Sequence, residues 1–252
     1  MFSQIHNLLN NINHVLNIHF REQTLDNDNY LQNIYTNRSQ ETIHEWLLEL
    51  ENHFNEKGVI FYPEKLLALT SGIQPELNPQ IKALLSDVKL LIDNDPLAEV
   101  MSEENFHMTF LAITQSIYEA YNDISEIADL TERFSLSIRN NQLKVKELQL
   151  VALPNQLLLA GIPDSNSVNL RKIFWDDLMS SDWQLKLQDR YPGKALPPDF
   201  WHTTILRYKS KKLPPLIREY FLSHSEKRYG EIKGKIKLVL TRYDWDKPLN
   251  II

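Results

Sequence analysis

One short phrase is written twice in this chain, Phe106-His107-Met108-Thr109-Phe110 and Trp201-His202-Thr203-Thr204-Ile205: an aromatic residue, then His-x-Thr, then an apolar residue. Both copies sit in runs with strand character, and both fill the same slot in a repeated order of elements. In the first round "KLLALTSGI" reads as a strand, and Asn78 and Pro79 open a helix striped by Ile81, Leu84, Leu85, Val88, Leu91 and Ile92. "FHMTFLAI" follows as a strand, and a Ser116/Glu119 capping box introduces a helix running to Phe134. "QLKVKELQLVAL" closes the round as a strand. The second round runs "QLLLAGIPD", a helix over "VNLRKIFWDDLMSSDW", "WHTTILRY", a helix opened by Pro214 and Pro215, and "KIKLVLTRY". Such an order points to a duplicated architecture, in which the unit strand, helix, His-x-Thr strand, helix, strand occurs twice. The halves are expected at residues 58–153 and 154–252, with exchange of strands between them allowed. Residues 1–57 stand apart as a helical N-terminal extension. There Ile5, Leu8, Leu9, Ile12, Leu16 and Phe20 form one helical stripe and Ile43, Trp46, Leu47, Leu50 and Phe54 another, separated by an Asn-rich segment with breakers.

Side chains two apart on a strand share a face. His107 therefore stands beside Thr109, and His202 beside Thr204. If the halves face one another, two imidazoles and two hydroxyls meet across a single cleft. A phosphodiester suits that arrangement: one neutral His takes a proton from the attacking oxygen while the other, protonated, gives one to the departing oxygen. With an ordinary pKa near 6.5, imidazole has both forms within reach of neutral pH. The threonines would hydrogen-bond the non-bridging oxygens as charge grows at phosphorus. The scheme calls for no metal and no cofactor.

The two tetrads, His107-Met108-Thr109-Phe110 and His202-Thr203-Thr204-Ile205, resemble the signatures of the two-histidine (2H) phosphoesterase superfamily, which includes bacterial RNA 2′,5′-ligase-like proteins and cyclic phosphodiesterases. The resemblance covers roughly residues 58–252. It implies a bilobal α+β fold with two antiparallel sheets lining a cleft, metal-independent chemistry on 2′,3′-cyclic or 2′,5′-linked phosphates, and a catalytic role for His107, Thr109, His202 and Thr204. The partner it implies is a small nucleotide or an RNA terminus. Three readings stay open: hydrolysis, 2′,5′ ligation of RNA, and a catalytically silent nucleotide- or RNA-binding module. A scaffold acting through residues 1–57 is a further alternative.

Charge supports a small anionic partner over a long duplex. The net charge of -6 does not suit a protein that coats nucleic acid. Residues 1–106 carry -10, 107–201 carry -3 and 202–252 carry +7, so the positive charge begins at the second His-x-Thr. Beyond the tetrads, strand parity places Tyr208 on the face of His202, and Arg207 and Tyr243 are further candidates for substrate binding. Arg242 and the run Lys209, Lys211, Lys212 join them as groups able to attract phosphate. The chain has no Cys, which excludes a thiolate nucleophile, a disulfide framework and a Cys-based zinc site. Gly-Lys at 193–194 and 234–235 lacks the following Ser/Thr of a phosphate loop, no Gly-x-Ser-x-Gly elbow occurs, and His44 lacks the second His of a zinc-protease helix. No apolar run approaches the roughly 20 residues that span a bilayer, and the first residues do not read as a secretory leader. A cytoplasmic protein is the expectation.

Overall fold

The computed structural model describes residues 28–48, 61–138, 142–194, 197 and 199–252. The first apolar stripe of the extension, and Leu50 and Phe54 of the second, lie outside the described residues. Residues 28–48 form a helix, α1. The strands are β1 (Ala68–Ile73), β2 (Ala98–Val100), β3 (Met108–Ala112), β4 (Gln142–Leu153), β5 (Gln156–Pro163), β6 (His202–Tyr208), β7 (Ile232–Lys235), β8 (Lys237–Thr241) and β9 (Leu249–Asn250). The other helices are α2 (Pro79–Leu91), α3 (Ile127–Ile138), α4 (Ser165–Met179), α5 (Gln184–Arg190) and α6 (Pro215–His224), with a 3₁₀ turn at Tyr121–Asp123.

The strands make two antiparallel sheets, ordered β3-β1-β8-β9 and β2-β6-β5-β4-β7. Each sheet repeats one order: the strand that carries or follows the His-x-Thr histidine, then the first strand of its half, then the closing strand of the other half. β8 leaves the second half to pair with β1, and β4 leaves the first to pair with β5. The α+β class with two antiparallel sheets therefore holds, and the strands do change partners between the halves. Between the sheets and helices lies one apolar core; Leu69, Ile73, Phe106, Met108, Leu157, Leu159, Ile205 and Leu238 are all almost fully buried in it.

Local chemistry explains two helix starts. Asn78 caps α2 by accepting from the Ile81 amide at 2.9 Å, with Pro79 in the first turn. Asp164 caps α4 by accepting from the Ser167 amide at 2.8 Å. Two expectations need correction. Ser116 does not start a helix, because Tyr118 bridges to Leu67 and Asp123 accepts from the amides of Glu119 and Ala120, so α3 begins only at Ile127. The segment expected to break the N-terminal extension is helical from residue 28. Its buried face runs Leu31, Tyr35, Ser39, Thr42, Trp46, while Leu47 of the expected stripe is 79% exposed. Hydroxyl groups fill the middle of that face, so apolar spacing does not reveal it.

α1 docks where β4 has an open edge. β7 pairs only with residues 142–145 of β4. Farther along, the amide of Ala152 donates to Ser39 at 3.2 Å and its carbonyl accepts from Thr42 at 2.9 Å, while Trp46 Nε1 donates to the Pro154 carbonyl at 3.0 Å. The helix thus satisfies an edge that would otherwise offer free backbone groups.

Candidate functional site

Both His-x-Thr strands carry a bulge at the same place. Gly72 faces Thr109 and Ser71 faces Leu111, so Phe110 is the extra residue on β3. Leu158 faces Thr204 and Leu157 faces Leu206, so Ile205 is the extra residue on β6. A bulge shifts the side-chain alternation by one and deepens the local twist. It brings the His and Thr of each strand to the cleft and reverses parity just beyond them. Arg207 therefore joins the face of His202. Tyr208, expected there, does not line the cleft: it is buried and its hydroxyl donates to Asp95 at 3.0 Å.

The cleft is a cavity of about 230 Å³ walled by both sheets. Thr70, His107, Thr109 and Thr241 come from the first sheet or its border, and His202, Thr204 and Arg207 from the second. Tyr62, Arg171, Arg190, Tyr191, Arg242, Tyr243 and Trp245 complete the wall. All four residues of the two His-Thr pairs, with Arg207 and Tyr243, thus meet around one space. The run after β6 does not reach it: Lys209 pairs with Glu64 at 3.7 Å and Lys212 donates to the Glu45 carbonyl at 3.1 Å.

His107 is held on two sides. Its Nδ1 lies 2.8 Å from the carbonyl of Asn105, which can only accept, so the neutral ring carries its proton on Nδ1 and leaves the Nε2 lone pair free. Its plane stacks on Trp245, with centroids 4.8 Å apart and 8° between planes. Trp245 adopts a positive φ of 54°, an uncommon conformation for so bulky a residue. Gly72 makes room for the stack: a Cβ there would stand 3.0 Å from Trp245 Cη2 and 2.5 Å from the Met108 carbonyl. His202 meets Phe200 edge-on at 4.9 Å, and the carbonyl of Phe200, two residues back as Asn105 is from His107, favours its proton. Among the described residues its Nδ1 nonetheless makes no hydrogen bond of normal geometry.

Both rings are hard to protonate. Burial, with the charge of Arg207, lowers His107 from 6.5 to about 3; the same causes, with Arg171, lower His202 to about 4. The charge of His202 is itself felt at His107, so the two rings act on one another.

Arg207 is 7% exposed. Its guanidinium lies 5.1 Å from the Tyr243 ring centre and 5.8 Å from that of Tyr62, and its Nε has no hydrogen-bond partner among the described residues. Tyr62 and Tyr243 stack on each other at 5.3 Å, and the Tyr243 hydroxyl donates to Glu99. Arg242 is neutralised by Asp244 at 3.2 Å and Asp246 at 2.6 Å. Arg171 lies 3.5 Å over the Trp201 ring, and burial lowers its pKa to about 10. Sequence reasoning missed Arg171, although a signal exists: it falls on the buried face of α4 with Ser167, Leu170, Phe174, Trp175 and Leu178, where a cation is out of place. Arg190, Tyr62 and Trp245 carry no comparable mark.

Five buried polar atoms without a hydrogen-bond partner among the described residues belong to this one cavity: His202 Nδ1, Thr203 Oγ1, Arg207 Nε, Thr241 Oγ1 and Arg190 Nε. Buried polar atoms in native proteins are nearly always satisfied. Their gathering here marks the cleft as a place for a polar ligand.

No protein-family model matches the chain, and no curated protein does. Among solved structures it is similar to TT0787 of Thermus thermophilus, with a TM-score of 0.48 and 13% identity over 73% of this chain and 95% of that one. It is similar also to E. coli LigT complexed with NADP+, at 0.44 and 12% over 74% and 96%, and to a phosphoesterase, at 0.45 and 10% over 74% and 96%. The chemistry of the cleft rests on its own side chains.

Proposed function

We propose that the chain is a two-histidine phosphoesterase that hydrolyses a cyclic or 2′,5′-linked phosphodiester on a small nucleotide or an RNA end. The observation that carries this reading is the meeting of His107 and His202, from matched slots of the two sheets, on one cavity beside the buried guanidinium of Arg207. A phosphate anion neutralises Arg207, removes part of what holds the two imidazoles unprotonated, and lets one proton enter the cleft with it. Asn105 holds the proton of His107 on Nδ1 and leaves Nε2 a free lone pair, so His107 takes the part of the base and His202 that of the ring that receives this proton.

The roles follow. Water attacks phosphorus while its proton passes to the Nε2 lone pair of His107; the bond from phosphorus to the leaving ribose oxygen breaks, and His202 supplies that oxygen with a proton. Asn105 keeps the base in the right tautomer. Thr109, Thr204 and Arg207 hydrogen-bond the oxygens on which charge builds. The stacked pair of Tyr62 and Tyr243 forms an aromatic wall beside Arg207, suited to a base or ribose. Ligation would put the 5′-hydroxyl of a second strand in the place of water: that oxygen attacks a cyclic phosphate, its proton passes to the base, and the ribose oxygen whose bond to phosphorus breaks takes a proton from the acid.

Purified protein assayed on 2′,3′-cyclic nucleotides, cyclic dinucleotides and 2′,5′-oligoadenylate, with EDTA present, tests the reading. Turnover of one class is expected, with His107→Ala and His202→Ala each losing roughly 10²- to 10⁴-fold while remaining folded. Binding without turnover across the panel would leave a nucleotide-binding module, and turnover indifferent to both substitutions would remove the proposal.

A further inference from the structure

The described part of the N-terminal extension reaches towards the cleft through one side chain. Tyr35, on α1, is 1% exposed, and its hydroxyl stands between two strands: it donates to the Gly161 carbonyl at 2.7 Å and accepts from the Trp201 amide at 3.2 Å. Gly161 still donates directly to the Trp201 carbonyl at 3.0 Å. Facing residues of a regular hydrogen-bonded antiparallel pair exchange both bonds. Here the second rung runs through the phenol. The next pair along is Ala160 with His202. The Tyr35 ring also meets Phe200 edge-on, at 4.9 Å and 82°, and Phe200 meets His202 the same way, at 4.9 Å and 72°.

We propose that Tyr35 is a positioning residue for His202: its hydroxyl sets the spacing of β5 and β6 where β6 begins, and its ring backs the aromatic contact that holds the imidazole. A helix that only covered the edge of β4 would need Ser39, Thr42 and Trp46, whose partners are all in β4 or the turn that follows it. Nothing in that task calls for a hydroxyl inside the β5–β6 ladder. The extension is thereby joined to the site, although no described residue of α1 lines the cavity. The catalytic consequence rests on the function proposed above; the placement of His202 does not.

Tyr35→Phe in the full chain removes the hydroxyl and keeps the ring. By NMR, the His202 ring signals are expected to move and their titration midpoint to rise towards that of free imidazole, as a loosened strand admits water, while His107 stays as it was. On whichever phosphodiester the wild type cleaves, kcat should fall roughly tenfold with KM changed by less than about twofold. Thr42→Ala, which loosens the same helix from β4, should leave the His202 signals in place. Should Tyr35→Phe not fold, Phe200→Leu carries the test, since it spares both hydrogen bonds and removes the ring contact. His202 signals unmoved by Tyr35→Phe, or moved as far by Thr42→Ala, overturn the proposal. A wild type that cleaves none of the panel defeats the functional reading, and the NMR measurement then still decides the placement.

Discussion

At the scale of single residues, the two histidines make the fold sensitive to acid. Their protons are refused mainly because the rings are buried and secondarily because Arg207 is near. An unfolded chain takes up those protons below about pH 6.5, whereas the folded chain does so only near pH 4 and 3. Stability is therefore expected to fall as pH drops from about 6.5 towards 4. Urea midpoints measured across that range should decline less steeply in a His107→Asn, His202→Asn double variant; equal slopes would show that the rings do not contribute. Ligand binding reverses the sign. An anion beside Arg207 raises both pKa values, so complex formation takes up protons and affinity strengthens as pH falls. Sulfate is the useful probe, because its own charge is constant between about pH 5 and 8. Titration calorimetry in buffers of different ionisation enthalpy should record proton uptake, with no pH dependence as the contrary result.

At the scale of elements, the two bulges decide which side chains reach the cleft. His-x-Thr is legible in the sequence because side chains at i and i+2 share a face in any strand, and the helix cap Asn78 is legible because it acts within three residues of its own position. The bulges at Phe110 and Ile205 are not, since each arises from the register with a partner strand remote in sequence. That single slip explains why parity favours Tyr208 when Arg207 is the residue in the wall. α1 escapes a reading of apolar spacing for another reason: its buried hydroxyl groups answer to the edge of β4, an element more than a hundred residues away. Gly72 is the weak point of β1. A methyl group there meets the backbone oxygen of Met108 at 2.5 Å, which cannot swing aside as a side chain would. Gly72→Ala is expected to cost about 1–3 kcal/mol of stability, read from urea unfolding, and, under the proposed function, to lower turnover by tilting His107 off Trp245. An unchanged midpoint would mean the bulge absorbs the methyl freely.

At the scale of the whole molecule, the crossing of β4 and β8 joins the halves more firmly than a linker does. Each sheet loses at least two strands if either half unfolds, so one cooperative transition is expected, with tryptophan fluorescence and far-UV circular dichroism coinciding in urea. Two separated transitions would mean that the lobes are independent. The duplication itself is legible from the order of elements, because it requires only local pattern. Its pairing is not, since which half receives the closing strand depends on contacts between residues more than a hundred positions apart, such as Leu69 with Leu240. A polypeptide holding a single round of the pattern would end in a strand with no place in its own sheet, and two such copies could complete one another only by lending their tails, a reciprocal swap. The present molecule has the form of such a two-chain embrace written on one thread.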